Sequence, residues 1–79
     1  MLREALEHLV RGIVDFPEDV DITEKPNGRG KLLEIRVNPD DLGRVIGRSG
    51  RTAKALRSVM NALGGGTRVR VDVVETDQD

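Results

Sequence analysis

Gly47-Arg48-Ser49-Gly50 cuts a helical pattern in two. Before it, residues 40–46 set Leu42, Val45 and Ile46 at helical spacing; after it, residues 51–63 set Leu56, Val59, Met60 and Leu63 on one face. A four-residue link with glycine at both ends cannot carry one helix through. The chain is therefore expected to turn there and to pack two helices close together around a loop. Gly64-Gly65-Gly66 ends the second helix, with Gly64 suited to the left-handed position that follows a helix.

The rest of the chain alternates between helical and strand periodicity. Residues 2–14 place Leu2, Leu6, Leu9, Val10 and Ile13 on one stripe, which predicts an amphipathic helix with Arg3, Glu4, Glu7 and Arg11 in water. His8 falls off the stripe, and its reading is a solvated side chain. Pro17 closes this region, and Phe16 is expected to tuck under the helix end as core. Residues 19–24 alternate around Val20 and Ile22. Pro26, Asn27, Gly28 and Gly30 form a turn, and residues 31–37 alternate again with Leu33, Ile35 and Val37 inward. The short connection predicts an antiparallel hairpin. Asn38-Pro39-Asp40 stops the strand, with Asn38 or Asp40 as the cap of the next helix. Residues 67–74 form a third strand with Val69, Val71 and Val73 inward, and Glu75 to Asp79 read as a frayed acidic tail. The order is α-β-β-α-α-β, which predicts an α+β fold: one three-stranded sheet with three helices packed on one face. One domain over residues 1–76 and a tail over 77–79 account for the chain.

Charge is segregated. The net of −1 divides into −4 over residues 1–43, +5 over residues 44–57 and −2 over residues 58–79. The positive block contains Arg44, Arg48, Arg51, Lys54 and Arg57 and no acid. Such focusing within an acidic chain points to an anion site rather than a general polycation. Zero cysteines exclude disulfides and thiol chemistry, a single histidine leaves little for a transition metal, and no apolar run reaches membrane-spanning length. No secretory signal is read at the N-terminus, and the expected compartment is the cytoplasm. At 79 residues a core is marginal, so a partner chain is expected to help.

The glycine-bracketed loop lets backbone approach a phosphodiester chain without a Cβ in the way, and the start of the following helix aims N–H groups and a positive dipole end at the same place. Arg48 projects from the loop, while Arg51, Lys54 and Arg57 recur along the helix roughly opposite its apolar face. An enzyme is not supported. Ser49 has no base in reach of the sequence pattern, His8 lies on another helix, and GxxxxGK[ST] is absent. Phe16 is the only aromatic residue, which argues against a stacking platform of the RRM or OB type.

Val45-Ile46-Gly47-Arg48-Ser49-Gly50 resembles the VIGxxG signature of the KH domain, whose GxxG loop clamps about four nucleotides of single-stranded nucleic acid. The element order is similar to the type II arrangement, and the size and the stretch Gly50 to Arg57 resemble the KhpA family of small bacterial RNA-binding proteins. Ala53 stands where the general KH pattern often has isoleucine, which shrinks the apolar floor beside the loop. The resemblance implies RNA binding through Ile46, Gly47, Arg48, Ser49 and Gly50, shared by Arg51, Lys54 and Arg57, with Val45 and Ile46 anchoring the loop. Bases would lie in a mostly aliphatic groove between the loop's helices and an edge strand. Leu33, Ile35 and Val37 would serve that groove's floor or the core behind it. It further implies an RNA chaperone or post-transcriptional regulator without cofactor or metal, paired with a second, larger KH-containing protein and linked to cell elongation and cell-wall homeostasis. A second reading is a protein-interaction module with weak or lost nucleic-acid binding; the local charge and the intact glycines speak against it.

Pairing, with itself or with a related KH protein, would give two clamps on one RNA. Ala55, Ser58, Val59 and Ala62 offer a surface of small or β-branched residues on the flank of the long helix. The same residues would otherwise pack against the first helix.

Overall fold

The computed structural model describes residues 2–74. Helix α1 (Leu2–Arg11) is followed by strands β1 (Asp21–Asn27) and β2 (Gly30–Arg36), helices α2 (Leu42–Ile46) and α3 (Arg51–Leu63), and strand β3 (Val69–Val73). Single 3-10 turns at Pro17–Asp19, Pro39–Asp41 and Arg48–Gly50 join them. The sheet order is β1-β2-β3. β1 pairs with β2 antiparallel, from Asp21↔Arg36 to Asn27↔Gly30, so the hairpin is as expected. β2 pairs with β3 parallel, from Lys31↔Val69 to Ile35↔Val73. A parallel pair needs a crossover, and α2 and α3 supply it.

Alternation decides the inner face. Ile22, Leu33, Ile35, Val69 and Val71 point to the helices and meet Leu6, Val10, Val45, Leu56 and Met60 in one core. The opposite face of the sheet carries ion pairs, Lys25–Glu34 at 3.2 Å between β1 and β2 and, within single strands, Arg36–Glu34 at 3.8 Å and Arg70–Asp72 at 3.4 Å. Asn38 is the residue that caps: its side chain accepts the Asp40 N–H at 2.8 Å.

Several local expectations are corrected. α1 stops at Arg11, because Gly12 begins a turn, although Ile13 still packs against the core. β1 starts at Asp21 and runs on through Pro26 and Asn27, which the sequence places in the turn. Pro26 is tolerated there because β1 is an edge strand. Phe16 is 37% exposed and not core. The space beneath that connection is taken instead by Asp41, fully buried, whose carboxylate accepts the N–H groups of Asp15 and Phe16, each at 3.0 Å. Gly64 is right-handed, with φ −71°, and Gly65 takes the left-handed position at φ +63°.

The buried face of α3 is Ala53, Leu56 and Met60; Val59 and Leu63 are 43% and 56% exposed. Hydrogen bonds from Arg57 and Asn61 to β3 roll the helix toward that strand and lift Val59 and Leu63 off the core. The acidic tail expected over residues 75–79 lies outside the described residues.

Candidate functional site

α2 and α3 meet at Gly47-Arg48-Ser49-Gly50, and the backbone there is unusual at three positions: φ is +78° at Gly47, +57° at Ser49 and +74° at Gly50. Gly47 combines that φ with ψ 168°, a region in effect closed to other residues. A Cβ on Gly47 would also lie 2.3 Å from the Thr52 hydroxyl and 2.7 Å from its amide nitrogen. Gly50 has open space around it, so φ alone favours glycine there. The left-handed Ser49 costs about 1–2 kcal/mol relative to ordinary helical backbone. The Gly47 N–H donates to Gly43 O at 2.8 Å and the Gly50 N–H to Gly47 O at 3.1 Å, which locks the turn between the two helices. Arg48 and Ser49 stand exposed at its tip.

Beside the loop lies a groove of about 430 Å³. Ile46, Gly50, Ala53 and Arg57 line one wall; Glu34, Asp72, Val73 and Val74 line the other. The groove is therefore bounded by the loop's helices and by β3, an edge strand. It is of mixed character and not the mostly aliphatic one expected, since Arg57, Glu34 and Asp72 belong to it. Leu33, Ile35 and Val37 are core, at 0%, 0% and 2% exposure. Val45 is buried and Ile46 is 38% exposed, so the two anchor residues divide between core and groove.

The free edge of β3 is partly occupied by α3. Even-numbered residues of this segment turn toward β2, as the bonds Lys31 N–H to Arg68 O and Val74 N–H to Ile35 O show. Val69, Val71 and Val73 thus turn their backbone groups to the open side. Asn61 takes both groups of Val69, donating to its carbonyl at 2.9 Å and accepting from its N–H at 3.1 Å. Arg57 donates from Nε to Val71 O at 3.0 Å. Val73 comes next along that edge and lines the groove.

Of the positive block, Arg48, Arg51 and Lys54 are exposed around the loop and carry no ion pair with any described residue. Arg57 is half engaged through its Nε. Arg44 does not join them: it pairs with Asp15 at 2.8 Å and Asp41 at 3.5 Å. The +5 read from the sequence thus overstates the charge available at the loop. On the flank of α3, Ala55, Ser58, Val59 and Ala62 are all exposed, so α1 does not bury them, and Leu63 extends their patch.

Sequence reasoning missed Asp41, Asn61, Asp72 and Val73. Asn61 follows Arg57 by one helical turn, which is the only local sign that it shares a face with the groove wall.

A family model described as "KhpA/KhpB, KH domain" matches residues 3–75. The chain is 65% identical to an "RNA-binding protein KhpA" of Leifsonia xyli over 95% of this chain and 99% of the relative. It is 62% identical to that of Streptomyces coelicolor, over 98% and 96% of the two chains. For the protein of the same name from Halalkalibacterium halodurans the identity is 43%, over 94% of this chain and all of the relative. Loop, crossover and near end-to-end similarity agree: the chain belongs to the KhpA/KhpB family of KH domains.

Proposed function

We propose that this chain binds single-stranded RNA, with the sugar-phosphate backbone held at the GRSG loop and bases received in the adjoining groove. The observation that carries the reading is the loop itself. Three left-handed positions open its backbone, Gly47 cannot be replaced without a clash, and three cations with no ion pair among the described residues surround it. The relatives named "RNA-binding protein KhpA" support the ligand class.

Gly47, Arg48, Ser49 and Gly50 meet the phosphates; Arg51 and Lys54 add charge along the strand; Ile46 and the outer part of Arg57 meet the bases. Arg57 and the backbone of Val73 give the groove hydrogen-bonding groups at the base edges, so recognition there is polar as well as apolar. The role is binding and not catalysis. It is that of an RNA chaperone or post-transcriptional regulator in the cytoplasm, with cell elongation and cell-wall homeostasis as the process it serves. The exposed flank of α3 supports pairing with a second copy or with a larger KH protein.

Replacing Arg48 and Ser49 by aspartates tests the loop. Two negative charges would stand where phosphates pass, on exposed residues that contribute nothing to the core. Titration of a labelled single-stranded RNA is expected to lose binding, with the circular dichroism spectrum unchanged. Equal affinities for two equally folded proteins would exclude the loop as the contact.

A further inference from the structure

The chain has thirteen lysine and arginine side chains. Among the described residues, eight are engaged by a carboxylate or a backbone carbonyl: Arg3, Arg11, Lys25, Lys31, Arg36, Arg44, Arg57 and Arg70. The five others, all exposed, fall in two places. Arg48, Arg51 and Lys54 surround the loop. Arg29 and Arg68 sit together at the far end of the sheet. Arg29 is at the tip of the β1–β2 hairpin and Arg68 immediately precedes β3. Their neighbours are in contact: Lys31 N–H donates to Arg68 O at 2.9 Å, and a Cβ on Gly30 would lie 2.2 Å from that same oxygen.

α3 runs from one place to the other. It begins at the loop and ends beside Val69, and its 13 residues span about 20 Å. On the α3 side no acid interrupts the way, since no acidic residue occurs between Asp41 and Asp72 in the sequence, and the acids of the groove, Glu34 and Asp72, stand on the sheet side near the loop. Lys54, Arg57 and Asn61 follow one another along the side of α3 nearest β3. The turn that leads to Arg68 contains Gly65 and Gly66, each with open space where a side chain would stand. In a chain of net charge −1 that pairs most of its cations, these two arginines have no carboxylate or carbonyl partner among the described residues and concentrate positive charge at this end of the sheet.

We propose that Arg68 and Arg29 form a second phosphate contact, which extends the path of single-stranded RNA along α3 and the β3 edge beyond the nucleotides held at the GRSG loop. This rests on the RNA-binding reading above and adds a site to it. The ligand is the phosphodiester backbone, so the contact lengthens the bound segment without choosing its bases.

The test compares wild type with the double variant Arg29→Ala/Arg68→Ala on oligouridylates of four and of about ten nucleotides. Neither side chain bonds to another described residue, so the variant is expected to keep its circular dichroism spectrum and melting temperature. The expected result is equal affinity for the tetramer and roughly tenfold weaker binding of the longer RNA. The log–log salt slope on the longer RNA should also be shallower by about 1.4, for two phosphates at about 0.7 each. Equal affinities of the two proteins on both RNAs would overturn the second contact. So would an equal loss on both, which would mean only a change in overall charge. Wild-type protein that binds neither RNA would overturn the RNA reading itself, and the second contact with it.

Discussion

Asp41 and Gly47 sit at opposite ends of α2 and fix where the loop stands. Gly47 does so by excluding a side chain; Asp41 does so as a fully buried carboxylate that holds the amides of Asp15 and Phe16. Hydrogen bonds to a charged acceptor contribute about 1.5–3 kcal/mol each, and orphaned buried amides cost more than the mean bond. Asp41→Ala is therefore expected to destabilise the fold by about 2–4 kcal/mol, and Asp41→Asn, which keeps one acceptor oxygen, by about half of that. Urea unfolding with an unchanged slope is the measurement; a loss below about 0.5 kcal/mol for Asp41→Ala would show the carboxylate to be dispensable. Nothing in the sequence marks Asp41 for burial. An acid beside a helix start reads as a solvated cap, and only the α1–β1 connection, 25 residues away, turns it into a core residue. Gly47, by contrast, is legible, because glycine at a loop edge announces backbone that other residues avoid.

The elements themselves follow from period. Strand alternation around Leu33, Ile35, Val69 and Val71 and the helical stripes of α1 and α3 suffice to give order, hairpin and inner face. The roll of α3 is not legible in this way. It depends on Asn61 and Arg57 bonding to β3, contacts that leave no periodic trace, and so Val59 and Leu63 come out exposed. The same bonds give the basic side of α3 two kinds of residue. Lys54 has no ion pair with a described residue and Arg57 is tethered. A site touching about three phosphates should show a log–log salt slope near −2 on single-stranded RNA. Arg51→Ala and Lys54→Ala should each flatten it by about 0.7. Arg57→Ala should flatten it less and lower the unfolding midpoint as well, because it releases the Val71 carbonyl. A slope near zero in wild type would remove phosphates as the main contact.

For the whole molecule, one small clamp gives little affinity, and a second clamp on the same RNA raises the effective concentration. The exposed surface of α3 at Ala55, Ser58, Val59 and Ala62 is the place proposed for a second chain, because small side chains allow close helix approach. Ala62→Glu is expected to give a folded monomer that binds long RNA about tenfold more weakly and a single-site RNA equally. Light scattering at tens of micromolar decides; a wild-type monomer under those conditions would rule out self-association through this surface. The sequence offered this patch together with the possibility that α1 covers it, and only packing could decide, since both uses favour small residues. Asn61 acts at this scale too. Its amide group occupies the place that the backbone of a fourth strand would take beside Val69, which ends the sheet at three strands without a proline or a bulge. An open strand edge recruits other unfolded or partly folded chains and templates their aggregation, a particular hazard for a protein with so small a core. The residue that fills the strand edge beside Val69 is thus also a guard of solubility, and losing it would first be seen as precipitation on storage.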